Sequence, residues 1–132
     1  MAIQFSVAVA NALLDSIETT VGATAVLKIR TGAAPANVAA ADSGTVLATL
    51  TLPADWMAAA SGGSKAKSGT WSDASADATG TAAHYRLYAS DGTTPHQQGT
   101  VGTSLTDLIV DSVSFTAGQS FTITSWTWTA QI

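Results

Sequence analysis

The chain has 132 residues, 46% of them hydrophobic and 11% charged, with a formal net charge of −4. That length predicts one domain over 1–132, burying ~65–70% of its unfolded surface in a core that needs no staples. Zero Cys excludes disulfides, thiol catalysis, thiolate zinc sites and iron–sulfur ligation, and five Lys+Arg against nine Asp+Glu argue against a dominant nucleic-acid face.

In chain order, the opening Met1-Ala2-Ile3-Gln4-Phe5 lacks the basic region of an export signal, so none is expected. From Ser6 to Val21, Ala10, Leu13, Leu14, Ile17 and Val21 recur at helical spacing, while Asn11, Asp15, Glu18 and Thr19 lie elsewhere. This predicts one amphipathic helix over about 6–21, N-capped by Ser6 and closed by Gly22, with its polar face in solvent. Nothing approaches the ~18 apolar residues of a membrane span.

After Gly22 the period becomes two, and a β-sandwich is expected over about 24–132. Thr24–Arg30 reads as a strand and Thr31–Gly44 as a loop whose alanines can hold a helical turn. Thr45–Leu52 places Val46, Ala48, Leu50 and Leu52 on one face, and Pro53 ends it. Asp55-Trp56-Met57 reads as a turn, and Ser61-Gly62-Gly63-Ser64 as the most flexible stretch. Lys65–Asp73, Ala82–Ala89, His96–Val101, Leu105–Phe115 and Ser120–Ile132 complete the strands, with Asp91–Pro95 joining an antiparallel pair. Short strands between turn signals, without alternating helices, predict a mainly β, antiparallel sandwich of jelly-roll or immunoglobulin-like type with one N-terminal helix. In the last strand Phe121 and Ile123 share one parity, Trp126 and Trp128 the other. Either a bulge falls near Thr124-Ser125 or both faces are buried, the second under the helix or a neighbouring subunit. Trp126 and Trp128 are therefore candidate interface residues, although cover from within the chain is preferred because buried Trp is more often core.

No constellation points strongly to catalysis, and the chain reads as a non-enzyme without cofactor. His84 and His96 are the only histidines, and neither lies in a nucleophile-elbow context. The run Asp73-Ala74-Ser75-Ala76-Asp77-Ala78-Thr79-Gly80 has alternating oxygens, but its glycine falls at the eighth position and His84 stands where an EF-hand needs Glu, so no metal site is expected. Gly62-Gly63-Ser64-Lys65 lacks phosphate-loop spacing, and Lys65 and Lys67 beside Trp71 make only a thin single-strand-binding patch. Glu18 is the sole glutamate, so a glycosidase pair must come from Asp residues that mostly occupy turns.

The phrases Leu13-Leu14-Asp15-Ser16-Ile17-Glu18, Lys28-Ile29-Arg30-Thr31-Gly32-Ala33-Ala34-Pro35-Ala36-Asn37, Leu52-Pro53-Ala54-Asp55-Trp56-Met57, Gly69-Thr70-Trp71, Ala83-His84-Tyr85-Arg86 and Gln98-Gly99-Thr100-Val101-Gly102, in this order, carry a resemblance. The chain is similar to small proteins encoded among the structural genes of tailed bacteriophages. The resemblance implies a virion component: a capsid decoration or cement protein bridging neighbouring subunits of the major capsid protein, or else a tail, collar or fibre component. A homo-oligomer is expected, for which the analogy allows a trimer without fixing the number of copies, with no nucleic-acid or membrane partner. Ala, Ser, Thr and Gly make up over half the chain, giving a surface cheap to desolvate and suited to repeated lattice contacts. A reading from another class is a glycan-binding or adhesin module stacking sugars on Trp56 and Trp71, which flank the Gly62-Gly63 segment.

Overall fold

In the computed structural model, residues 3–130 and 132 are described; Met1, Ala2 and Gln131, at the ends of the sequence-read opening and last strand, lie outside them. The alternation read after Gly22 becomes an antiparallel sheet built on β1 (Val26–Thr31), β2 (Val46–Thr51), β5 (Gly80–Tyr88) and β6 (Pro95–Gly102). Their order is β2-β1-β5-β6, with β7 (Leu108–Ile109) parallel to the end of β6 and β8 (Ser114–Phe115) paired to the start of β5. Leu27 opposes Leu50 and Leu87, and Ile29 opposes Ala48 and Tyr85, so these side chains form the inner face. Residues of the other parity, Lys28, Arg30, His84, Arg86 and Tyr88, line the outer face. Between Ile29 and Arg30 the register slips so that Ala48 and Val46 take successive partners; Leu47 is the extra residue, and this bulge buries it beside its neighbours.

The opposing layer consists of two short ladders, β3 (Ser64–Ala66) with β10 (Thr127–Thr129) and β4 (Trp71–Asp73) with β9 (Phe121–Ile123), together with the helix α1 (Val7–Val21). One buried cluster runs through both layers, from Leu27, Ile29 and Leu87 to Trp56, Trp71 and Ile123. The molecule is thus mainly β and sandwich-like, with one N-terminal helix among the described residues.

Several boundaries differ from the sequence reading. The stretch 65–73 divides into β3 and β4 at a turn where Gly69 adopts φ 73°. The last stretch divides into β9 and β10, so its change of parity at Thr124-Ser125 is a break between two ladders rather than a bulge in one strand. Ser61–Ser64 is no flexible linker: each of these serines donates its N–H to the other's carbonyl, around Gly62 and Gly63 at φ 61° and 80°. Two consecutive positive φ angles suit glycine, and they make this the tight turn feeding β3.

The helix is capped as expected, with the Ser6 hydroxyl accepting Val9 N–H at 3.2 Å and Gly22 N–H donating to the Glu18 carbonyl. Ala10, Leu14 and Val21 are buried, and Ile17 packs against the core. Its polar face, however, is only partly left to solvent. Asn11 Oδ1 accepts Gly63 N–H, Asp15 Oδ1 accepts Ala60 N–H, and both Asp15 and Glu18 bind Lys65 Nζ, at 2.6 and 2.8 Å. These residues recur at i, i+4 and i+7, so one stripe of the helix satisfies the β3 turn, whose donors would otherwise be unmade.

Candidate functional site

Each candidate named from the sequence has a definite place. The four tryptophans converge into one aromatic group with Tyr85: Trp56 contacts Trp71 and Trp128, and Trp126 contacts Trp71, Trp128 and Tyr85, at centroid distances of 5.0–6.0 Å. Trp56 and Trp71 are both 0% exposed, with indole N–H groups donated to the Gly22 and Ser68 carbonyls. Neither presents a ring face to a sugar, which corrects the stacking role considered for them: large aromatic area was drawn into the core because it gains most from leaving water. Trp126 is also core, 7% exposed and donating to the Asp107 carbonyl at 2.9 Å, so the interface role considered for it is corrected too. Trp128 alone of the four is half-buried. It lines a cleft of about 320 Å³ with Gln97, Asp107 and Thr129, and Tyr85 donates its hydroxyl to Gln97 Oε1 there. Burial, with the nearby Asp107 charge, pushes the Tyr85 hydroxyl far above its usual range, so it stays protonated and keeps the proton it donates to Gln97.

The polar motifs are structural. Asp73 Oδ2 accepts the N–H of Thr49, Asp77 Oδ2 accepts the Thr49 hydroxyl, and Asp77 N–H donates to the Leu47 carbonyl. The alternating oxygens thus cover the outer edge of β2, where unpaired backbone groups would invite another strand. His84 is buried on the outer sheet face with Nδ1 2.7 Å from the Gly32 carbonyl, and His96 is exposed near the helix.

The loop from Gly32 to Gly44 folds back over that outer face. Asp42 bridges Arg30 and Arg86, at 3.1 and 2.5 Å, and accepts the Tyr88 hydroxyl at 2.7 Å. Arg86 also donates to the Val38 carbonyl, and Gln98 Nε2 to that of Pro35. Burial disfavours the Asp42 charge, but Tyr88, Arg86 and the Arg30 charge outweigh it and hold the carboxyl below its usual pKa. Lys65 is similar: desolvation works against its ammonium, yet the hydrogen bonds and charges of Asp15 and Glu18 raise its pKa. The other two cations bind backbone, Lys28 Nζ to Gly92 O and Lys67 Nζ to Gly69 O, each over an aromatic ring. All five cations are therefore held within the chain. Sequence reasoning missed this, because Asp42 and Lys65 find partners up to 50 residues away.

Apolar side chains are turned outward instead. Ile3, Phe5, Val7, Val9 and Leu13 are 38–73% exposed, and Leu105 and Ile109 are 100% and 55% exposed. Leu105 also holds φ 56°, the left-handed region that a leucine occupies only at a cost, and the loop it sits on borders a cavity of about 470 Å³ lined by Thr106, Asp107, Ile109 and Trp126. No known protein family, curated protein or solved structure matches the chain.

Proposed function

We propose that the chain is a non-enzymatic structural protein of a bacteriophage particle, a decoration or cement subunit that binds and bridges neighbouring capsid proteins. The observation that supports this is the inversion of the usual surface: cations are spent on internal partners while leucines, valines and isoleucines face outward at the helix and at Leu105–Ile109. A surface of that kind loses little on desolvation and gains from apolar contact, which is what attachment to a repeating lattice uses. The resemblance to tailed-phage structural gene products supplies the particle. Tail, collar or fibre attachment draws on the same chemistry and is separated from capsid attachment by location alone.

The test is the protein content and reconstruction of particles purified from the phage that encodes the chain. A fixed copy number, with density for the whole fold on the capsid, is the expected result. Particles that lack the chain overturn the proposal, and density on the tail moves it to the second location. A glycan-binding reading keeps one specific support, the cleft beside half-buried Trp128 with Gln97, Asp107 and Thr129 as hydrogen-bonding groups. Saturable quenching of tryptophan fluorescence by a saccharide, lost in Trp128→Ala, would promote it.

A further inference from the structure

Two strand edges reach one groove with their backbone groups unmade. In β6, Thr100 donates its N–H away from β5 to Asp107 Oδ2, and Gln98, two residues earlier in an unbroken register, turns its N–H and C=O the same way. In β10, Lys67 N–H donates to the Trp126 carbonyl and Ala130 N–H to that of Gly63, so Thr127 and Thr129 turn their N–H and C=O away from β3. Among the described residues nothing takes up these outward groups. The edge of β2, by contrast, is closed by Asp73 and Asp77. Trp128, in the same groove wall, has the one indole N–H of the four that is buried without an acceptor.

The cleft of about 320 Å³ between Gln98 and Thr129 shares Asp107 and Trp126 with the cavity of about 470 Å³, which in turn shares Asp111 and Thr124 with another of about 320 Å³. The groove therefore follows the chain from Thr129 back to Ser120, roughly 30 Å at strand spacing. Its charge is one-sided. Thr100 takes up Asp107 Oδ2, but Asp107 Oδ1 and the Asp111 carboxylate have no partner among the described residues, and the five cations are bound elsewhere. We infer that the groove binds an extended, basic segment of a partner protein by β-strand addition, with a Lys or Arg of that segment set between Asp107 and Asp111. An extended chain presents N–H and C=O groups on both its sides at two-residue intervals, which matches Thr127 and Thr129 on one wall and Gln98 on the other. A saccharide has no backbone repeat to match that spacing. A second copy of the chain brings a net charge of −4 to the same carboxylates and no free cation. The inference deepens the proposed function by naming how a partner is held, and rests on that reading only for the partner's being a virion protein.

The test is titration of the full chain with the synthetic peptide acetyl-Thr-Val-Thr-Val-Lys-Val-Thr-Val-Thr-amide, followed by tryptophan fluorescence and by amide hydrogen exchange. Saturable binding is expected, with the N–H groups of Gln98, Thr127 and Thr129 slowed in exchange. Replacing the peptide's Lys by Glu weakens binding about tenfold and Asp111→Asn weakens it about threefold, both effects shrinking in high salt. Thr129→Pro removes an outward N–H, leaves the β3 ladder and the circular dichroism spectrum intact, and abolishes binding. No saturation at millimolar peptide, equal binding of the Lys and Glu peptides, or binding undiminished in both Asp111→Asn and Thr129→Pro overturns the inference. So does self-association of the free chain that Thr129→Pro abolishes, which puts a second copy in the groove, or saturable binding of maltoheptaose where the peptide does not bind. A chain that binds the peptide but is missing from particles keeps this inference and removes the proposed function, and a chain at fixed copy number on particles that leaves the peptide unbound does the reverse.

Discussion

Asp42→Asn tests whether the loop over the outer sheet face is held by charge. Asp42 is the single carboxylate between two guanidinium groups whose side chains are 7% and 1% exposed, so neutralising it leaves two buried positive charges facing one another with no counter-ion. Removing one partner of a buried pair costs about 3–5 kcal/mol. Asp42 itself is 41% exposed, water reaches it, and Asn still accepts one hydrogen bond, which places the loss at the lower end, about 3 kcal/mol. With a urea m-value of roughly 1.5 kcal/mol/M, the midpoint falls by about 2 M at unchanged m. The wild-type carboxyl titrates below its ordinary value, so its stabilisation is complete above pH ~4 and is lost as pH falls through the depressed pKa. The gap between wild type and Asp42→Asn therefore closes on acidification. In the Asp42→Asn background Arg86→Met should cost less than in wild type, the two changes coupling by roughly 0.5–3 kcal/mol. An Asp42→Asn variant within about 0.5 kcal/mol of wild type at neutral pH would refute the charge-bridge reasoning.

Three further predictions address the other supports of the fold. Lys65→Met, by urea unfolding, should lose about 2 kcal/mol, less than a fully buried pair, because Asp15 and Glu18 stay partly hydrated; the Lys65 contribution is present through neutral pH and is lost only as pH rises through its raised pKa. Gly99→Ala places a Cβ 2.7 Å from the Tyr85 ring and 2.8 Å from Asp107 Oδ2, and should cost about 1–3 kcal/mol of overpacking with a visible change in near-ultraviolet dichroism. Trp126→Ala should cost about 3–5 kcal/mol by denaturant melt, because it joins Tyr85, Trp71 and Trp128, whereas half-buried Trp128→Ala should cost distinctly less; equal losses would count against the cluster geometry.

Local rules of the chain determined a good deal. The two-residue period in Thr24–Arg30 and Ala82–Ala89 placed Leu27, Ile29, Tyr85 and Leu87 on the inner face and was enough for the sheet, because side-chain direction in a strand follows from backbone geometry. Ser6 and Gly22 marked the helix ends for the same kind of local reason: they satisfy backbone groups within a turn of themselves. Partner choice was beyond such rules. Asn11, Asp15 and Glu18 read as a solvated face, since a polar side chain is satisfied equally by water or by a buried donor, and only the tertiary structure put Lys65 and the Gly63 turn against them. Asp42 was one residue of the loop read over Thr31–Gly44 until the sheet brought Arg30, Arg86 and Tyr88 beneath it. The 11% charge of the sequence was visible from the start, but its direction was not: which charges face inward depends on contacts up to 50 residues apart, and these leave the apolar helix stripe outside.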